Sequence, residues 1–263
     1  MNSTNILELS HVYKSFARTE GEDVTQALDD INFTVNDGEF LSIVGPSGCG
    51  KSTIMRLIAG LIFPTAGTIT LNGEIIKGTD TERGMVFQKP TLFPWLTAEE
   101  NLHFTARMQG RKRDKSYMAE AERLLDMAGL SEFRNDYPHQ LSGGMAQRLA
   151  LIRTMINNPK VFLLDEPLGA LDAFTRMNMQ DEILRLWQTS KHIVLMVTHD
   201  IDEAIYLGTR ILVMAPRPGR IRADLKNDMP YPRVRTSDEF LQWRKKVLGM
   251  LDFGQNNIKE VSA

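Results

Sequence analysis

The chain has 263 residues, 42% of them hydrophobic, and 31 basic against 33 acidic side chains leave a formal charge of -2. That length buries a substantial core at the upper edge of one domain, while the charge balance argues against the basic footprint of a nucleic-acid binder. A single cysteine, Cys49, excludes an internal disulfide framework, and no cluster of Cys and His has metal-ligand spacing.

The opening residues, MNSTNILELS, lack the basic stretch and apolar core of a signal peptide, and no run approaches the roughly 18 apolar residues that span a bilayer. The expectation is a chain kept inside the cell. Gly and Pro fall singly between periodic segments, without repeats or a long linker, and mark no clean domain boundary.

The first element that carries chemistry is the apolar run FLSIV, residues 40–44, which reads as a strand and leads into GPSGCGKST, Gly45 to Thr53, and then the helical pattern IMRLIAGL. This is G-x-x-x-x-G-K-[ST] between a strand and a helix, the context a phosphate-binding loop requires. Glycines let the backbone N–H groups of the stretch Gly45, Pro46, Ser47, Gly48, Cys49 and Gly50 curl around phosphate oxygens, and the helix N-terminus adds its dipole. Lys51 then reaches the β- and γ-phosphates, Ser52 offers a hydroxyl to Mg²⁺, and Thr53 closes the nucleotide-binding stretch. Cys49 occupies a variable position, where a small tolerated residue is the simpler reading than a redox sensor.

GMVFQ, residues 84–88, is a short strand ending in the amide of Gln88, and KPTLFPWLT follows with Phe93, Trp95 and Leu96 around a proline. From there the pattern turns helical through TAEENLHFTARMQ, KSYMAEAERLLDMAGL and the helix opened by LSGGMAQR, which predicts a separate helical lobe. Ser142 can cap that last helix. With Gly143 and Gly144 it can equally point N–H groups at an anion, and local chemistry leaves both readings open.

VFLLDEP, residues 161–167, reads as a strand buried on both faces and ending in two carboxylates, Asp165 to hold Mg²⁺ through its water shell and Glu166 as general base for hydrolysis. IVLMVTHD, residues 193–200, is another such strand and delivers His199. Ligands bind beyond the carboxyl ends of parallel strands in open α/β sheets, so Lys51, Gln88, Asp165, Glu166 and His199 are expected to converge on one edge. The tail from Arg217 reads as a turn, a strand, a Pro-rich crossing and an amphipathic helix.

The whole set resembles the ATP-binding subunit of an ABC transporter. GPSGCGKS is similar to its Walker A, Gln88 to its Q-loop, LSGGMAQR to its signature, LLDE to its Walker B, LGALD with Asp172 to its D-loop and His199 to its switch histidine, in order and spacing along nearly the whole chain. The resemblance implies an α/β P-loop NTPase fold with a mainly parallel core sheet and an antiparallel β subdomain (1–88 and 159–225), an inserted helical subdomain (89–158) and a helical tail (226–263). It also implies a head-to-tail dimer in which LSGG of one copy (Ser142, Gly143, Gly144) closes over ATP held by the P-loop of the other, with Asp172 beside the nucleotide and Gln88 close to Mg²⁺. Phe16 in LSHVYKSF aligns best with the aromatic that faces adenine, with Tyr13 as its substitute. The region Phe93–Leu96 would receive a short helix of the permease, placing the subunit at the cytoplasmic face of the membrane, with a solute-binding protein as indirect partner and no nucleic acid. VMAPRPGRI, FPWLT and LSGGMAQR look most like the nitrate, sulfonate, taurine and bicarbonate importers, from which IRTMINNP departs where relatives carry an Ala-rich run. The rival readings are an exporter half, which is commonly fused to membrane helices, and a DNA-repair or translation ATPase, which would carry a long coiled coil or a second cassette.

Overall fold

The computed structural model describes residues 5–17, 24–190 and 192–251. The end of the expected helical tail, residues 252–263, lies outside them, as do residues 1–4 and 18–23 of the expected β-bearing segment. The chain divides into two compact units, Met1–Thr79 with Lys191–Ala263, and Asp80–Ser190.

In the first unit, β1 (Ile6–Ala17), β2 (Val24–Asn36), β4 (Ala66–Leu71) and β5 (Glu74–Ile75) form an antiparallel sheet in the order β2-β1-β4-β5. Alternation sets its faces: Leu7 and Leu9 of β1 point inward with Ile31, Phe33 and Val35 of β2, all buried, while the residues between them are exposed or half-exposed.

The second sheet of this unit follows from continuous apolar runs. β3 (Phe40–Val44) and β8 (Ile193–Val197) are buried at every position and pair in parallel, and β9 (Arg210–Met214) lies parallel on the other side of β3. Strands buried on both faces gain roughly 1.5–3 kcal/mol per large side chain removed from water, which explains their lack of alternation. β10 (Ile221–Lys226) closes the edge antiparallel to β9, and its half-exposed alternation is that of an edge strand. α1 (Lys51–Ile58) follows β3, α6 (Ile201–Leu207) joins β8 to β9, and α7 (Asp238–Leu251) follows β10. The Pro-rich crossing is tied down by the buried Arg233, which donates to the carbonyls of Ile205 (2.6 Å) and Gly208 (2.7 Å) at the end of α6, where a cation complements the helix dipole.

The second unit holds β6 (Arg83–Val86) paired in parallel with β7 (Val161–Asp165), together with α2 (Ala98–Met108), α3 (Lys115–Met127), α4 (Gly143–Met155) and α5 (Ala173–Ser190). Side chains start the helices: Thr97 and Glu100 form a capping box on α2, Asp114 caps α3 and Ser142 caps α4. α5 joins the D-loop to the following strand and was not anticipated as a helix. No described helix is long and apolar enough to cross a membrane. Parallel core strands in both units, a separate antiparallel sheet and a set of helices make up the α/β fold expected of a P-loop NTPase.

Candidate functional site

In the first unit, β3 ends at Val44 and the P-loop begins; β8 ends beside it, with Ile43 in register with Val197 and Thr198 N donating to Ile43 O at 3.3 Å. Gly45 and the exposed His199 therefore leave the same carboxyl edge of two adjacent strands. Gly50 caps α1 with φ of 97°, and a Cβ there would stand 2.5 Å from Leu28 Cδ2, so both conformation and space demand glycine. Lys51, only 7% exposed, donates to the carbonyls of Gly45 (2.8 Å) and Pro46 (3.1 Å), which holds its ammonium over the loop. Cys49 is buried, and burial pushes its thiol pKa up despite Lys51 nearby, so it is the inert small residue of the loop and no thiolate.

Phe16 is 42% exposed and so is no core aromatic, and Lys14 Nζ lies 5.0 Å from its ring centre. Lys14 pairs with Leu28, the residue packed on Gly50, so the strand bearing Phe16 runs beside the start of the P-loop helix.

The turn between β9 and β10 contributes residues that sequence reasoning assigned no role at the site. Arg217 Nε donates to Gly48 O at 2.8 Å. Gly219 is clamped to β2 by Gly219 N to Ala27 O (3.0 Å) and Asp29 N to Gly219 O (2.9 Å), and its Cα lies against the P-loop so closely that a Cβ would meet Cys49 O at 2.1 Å. The Pro-Gly pair in APRPGR signals the turn, while nothing local signals what it touches. Gly219→Ala is expected to displace the P-loop and weaken nucleotide binding at least about 10-fold in a calorimetric titration. Gly249→Ala, with nothing within 4 Å of the new methyl, serves as the unaffected control.

In the second unit, Val86 of β6 is in register with Leu164 of β7, so Gln88 and Glu166 leave neighbouring strand ends. The structure brings them together: Gln88 Nε2 donates to Glu166 Oε2 at 2.7 Å. Glu166 has φ of 48°, a left-handed conformation that a non-glycine residue holds only at a cost of roughly 1–3 kcal/mol, and the turn re-aims its carboxylate after the buried Asp165.

Ser142 Oγ accepts from Met145 N at 3.2 Å, so it caps α4, and Ser142 and Gly143 are exposed at the helix mouth. Gly144 lies against the D-loop, where a Cβ would meet Leu171 at 3.4 Å. Asp172 accepts from Thr175 N at 3.0 Å, and that bond holds its carboxyl below the usual range. A further link was not foreseen: the buried Gln147, inside LSGGMAQR, donates to Phe87 O at 3.1 Å and ties the signature helix to the residue before Gln88.

Beside these loops the same unit has a cavity of about 460 Å³ lined by Met85, Phe93, Phe104, Pro159 and Arg153 among others. The Phe93 ring lies 4.0 Å from Phe104 and 5.7 Å from Trp95, Arg153 sits 5.5 Å above it, and Trp95 is 68% exposed. Leu96, unlike Trp95, is buried. Asn101 causes this by donating to the carbonyls of Phe93 and Leu96 and accepting from Phe93 N, which draws the loop inward.

A profile of the ABC transporter family matches residues 28–169. A taurine import ATP-binding protein, TauB, of Jannaschia sp. is 46% identical over 86% of this chain and 87% of its own length. An aliphatic sulfonates import ATP-binding protein, SsuB, of Bacillus cereus is 42% identical over 94% of this chain and 96% of its own. Among solved structures, the chain is similar to the dimeric ATP-binding cassette MJ0796 in a post-hydrolysis state bound to ADP and Pi, with a TM-score of 0.76 and 34% identity over 85% of this chain and 100% of that one.

Proposed function

The chain belongs to the ABC transporter family, and from that premise we propose that it binds and hydrolyses ATP to power a membrane importer of a small anion or organosulfonate-like solute. Relatives named for taurine and sulfonate import favour this over an exporter, DNA-repair or translation ATPase. The observation that carries the hydrolytic reading is the 2.7 Å bond between Gln88 and Glu166, which positions a carboxylate at a strand end where a strained backbone aims it.

In this reading Phe16 stacks on adenine, the stretch Gly45 to Thr53 wraps the phosphates and Lys51 neutralises the β- and γ-groups. Ser52, Asp165 and Gln88 offer hydroxyl, carboxylate and amide oxygens, the hard donors that suit Mg²⁺, which offsets phosphate charge when bound. Water attacks the γ-phosphorus as its proton passes to Glu166, the bond to the ADP oxygen breaks, and His199 holds the γ-phosphate and the water in line. Ser142, Gly143 and Gly144 of a second copy close the pocket, with Asp172 at the dimer seam. The dimeric cassette to which the chain is similar supports this pairing.

The groove around Phe93, with Trp95 at its rim, is the seat for the permease on the cytoplasmic side of the membrane, and Gln88 and Gln147 tie it to the chemistry. Reconstituted with permease and binding protein, the chain is expected to drive ATP-dependent uptake of taurine or an alkanesulfonate. Trp95→Ala should cut that uptake at least about 10-fold, as for a buried aromatic anchor, and leave hydrolysis by the isolated subunit within about twofold. Equal loss of both activities would remove the coupling role.

A further inference from the structure

The second unit carries a concentration of charge that neither the nucleotide loops nor the groove uses. From Arg107 to Lys115 the chain reads RMQGRKRDK, five cations and one carboxylate, a net +4 in a chain of -2. The remainder of the molecule is therefore at -6, and the asymmetry is concentrated in nine residues. Every position from 107 to 116 is exposed. Other cations of this unit are paired, Arg123 with Glu120 and Glu182, Arg134 with Glu122 and Lys160 with Glu82. None of the five in this run forms an ion pair with a described residue.

Asp114 offsets only one of the five: its carboxylate starts α3 and forms no ion pair with a described residue. It accepts from Tyr117 N at 2.9 Å and from Ser116 Oγ at 2.7 Å. The folded state thus gathers five cations against a single carboxylate, an arrangement that costs energy until an anionic surface supplies the missing sign. Met108, 68% exposed, adds an apolar side chain within the run, and the run begins two residues after Thr105, which lines the groove together with Phe104.

We propose that the segment 107–115, from the end of α2 through the connecting loop to the start of α3, is a membrane-surface contact that binds anionic phospholipid headgroups. Clustered Lys and Arg beside a membrane are drawn by its negative surface potential within about a Debye length, roughly 8–10 Å at ordinary ionic strength, and they hydrogen-bond lipid phosphates. Met108 can enter the headgroup boundary beside them. A nucleic acid fits less well, since the run carries no aromatic ring on which a base would stack. The segment's nearness to the bilayer rests on the groove as permease seat; the lipid chemistry itself does not.

The test is co-sedimentation of the full chain with vesicles of phosphatidylcholine alone or mixed with phosphatidylglycerol. Binding is expected to the mixed vesicles only, to fall as salt rises, and to drop roughly 10- to 100-fold in Arg111→Gln/Lys112→Gln/Arg113→Gln. Unchanged circular dichroism and basal ATP hydrolysis in that variant show that it folds. Equal binding by wild type and variant, binding to neutral vesicles, or displacement from mixed vesicles by single-stranded RNA at far lower phosphate concentration would each overturn the proposal. Trp95→Ala separates the two readings: if it leaves transport intact while vesicle binding persists, the groove assignment fails and the lipid contact stands.

Discussion

Glu166→Gln is expected to bind ATP with near-normal affinity, to lose at least about 100-fold in hydrolysis, and to accumulate as a dimer of doubled mass in light scattering when ATP is present. A positioned general base contributes roughly 10² to 10⁴ to a rate, and an amide of the same shape cannot take the proton from water. The substitution keeps one oxygen to accept from Gln88 Nε2, so the 2.7 Å contact and the turn at φ 48° survive and the loss is chemical, not structural. The dimer follows from linkage. If ATP binds the paired state better than the separate one, it stabilises pairing in proportion to its occupancy, and only hydrolysis releases it. A variant that stays monomeric with normal turnover would exclude both the base and the clamp.

The parts legible in the sequence are those in which one short stretch does its work locally. FLSIV, VFLLD and IVLMV announce fully buried parallel strands because short, mainly apolar runs without alternation fit nothing half-exposed. GPSGCGKST carries its own turn and helix start, and Ser142 its own cap. What stayed hidden depends on residues far apart in the chain. Arg217 meets Gly48 across 169 positions, and Gln147 meets Phe87 across 60, so neither role has a local signature. Leu96 turns inward because Asn101, five residues on, captures its carbonyl. The 18-residue α5 escaped notice because its buried face includes Gln180 and Glu182, the latter satisfied by Arg123, and polar residues on the inner face blur the apolar period by which a helix is recognised.

Mixing two inactive chains tests whether the site is shared. Lys51→Ala removes the ammonium held over the P-loop, and Ser142→Arg fills the exposed mouth of the signature helix, so each homodimer should have no competent site. In a mixed dimer the two lesions fall together in one composite pocket. The other pocket combines the intact P-loop of the Ser142→Arg chain with the intact signature of the Lys51→Ala chain. Random pairing makes half the dimers mixed, each with one good site of two, so turnover should recover to as much as roughly a quarter of wild type if sites act independently, and less if they act as a unit. Loss of the Ser142 cap costs only about 1 kcal/mol, too little to unfold the chain, and circular dichroism checks this. Ser142 stands in the second unit and Lys51 in the first, and each is complete as a local structure, with the cap formed and the lysine hydrogen-bonded to its own loop. Recovery on mixing therefore reports a partner's contribution and not a repaired fold. A mixture no more active than the sum of its components would mean that one chain holds everything hydrolysis needs.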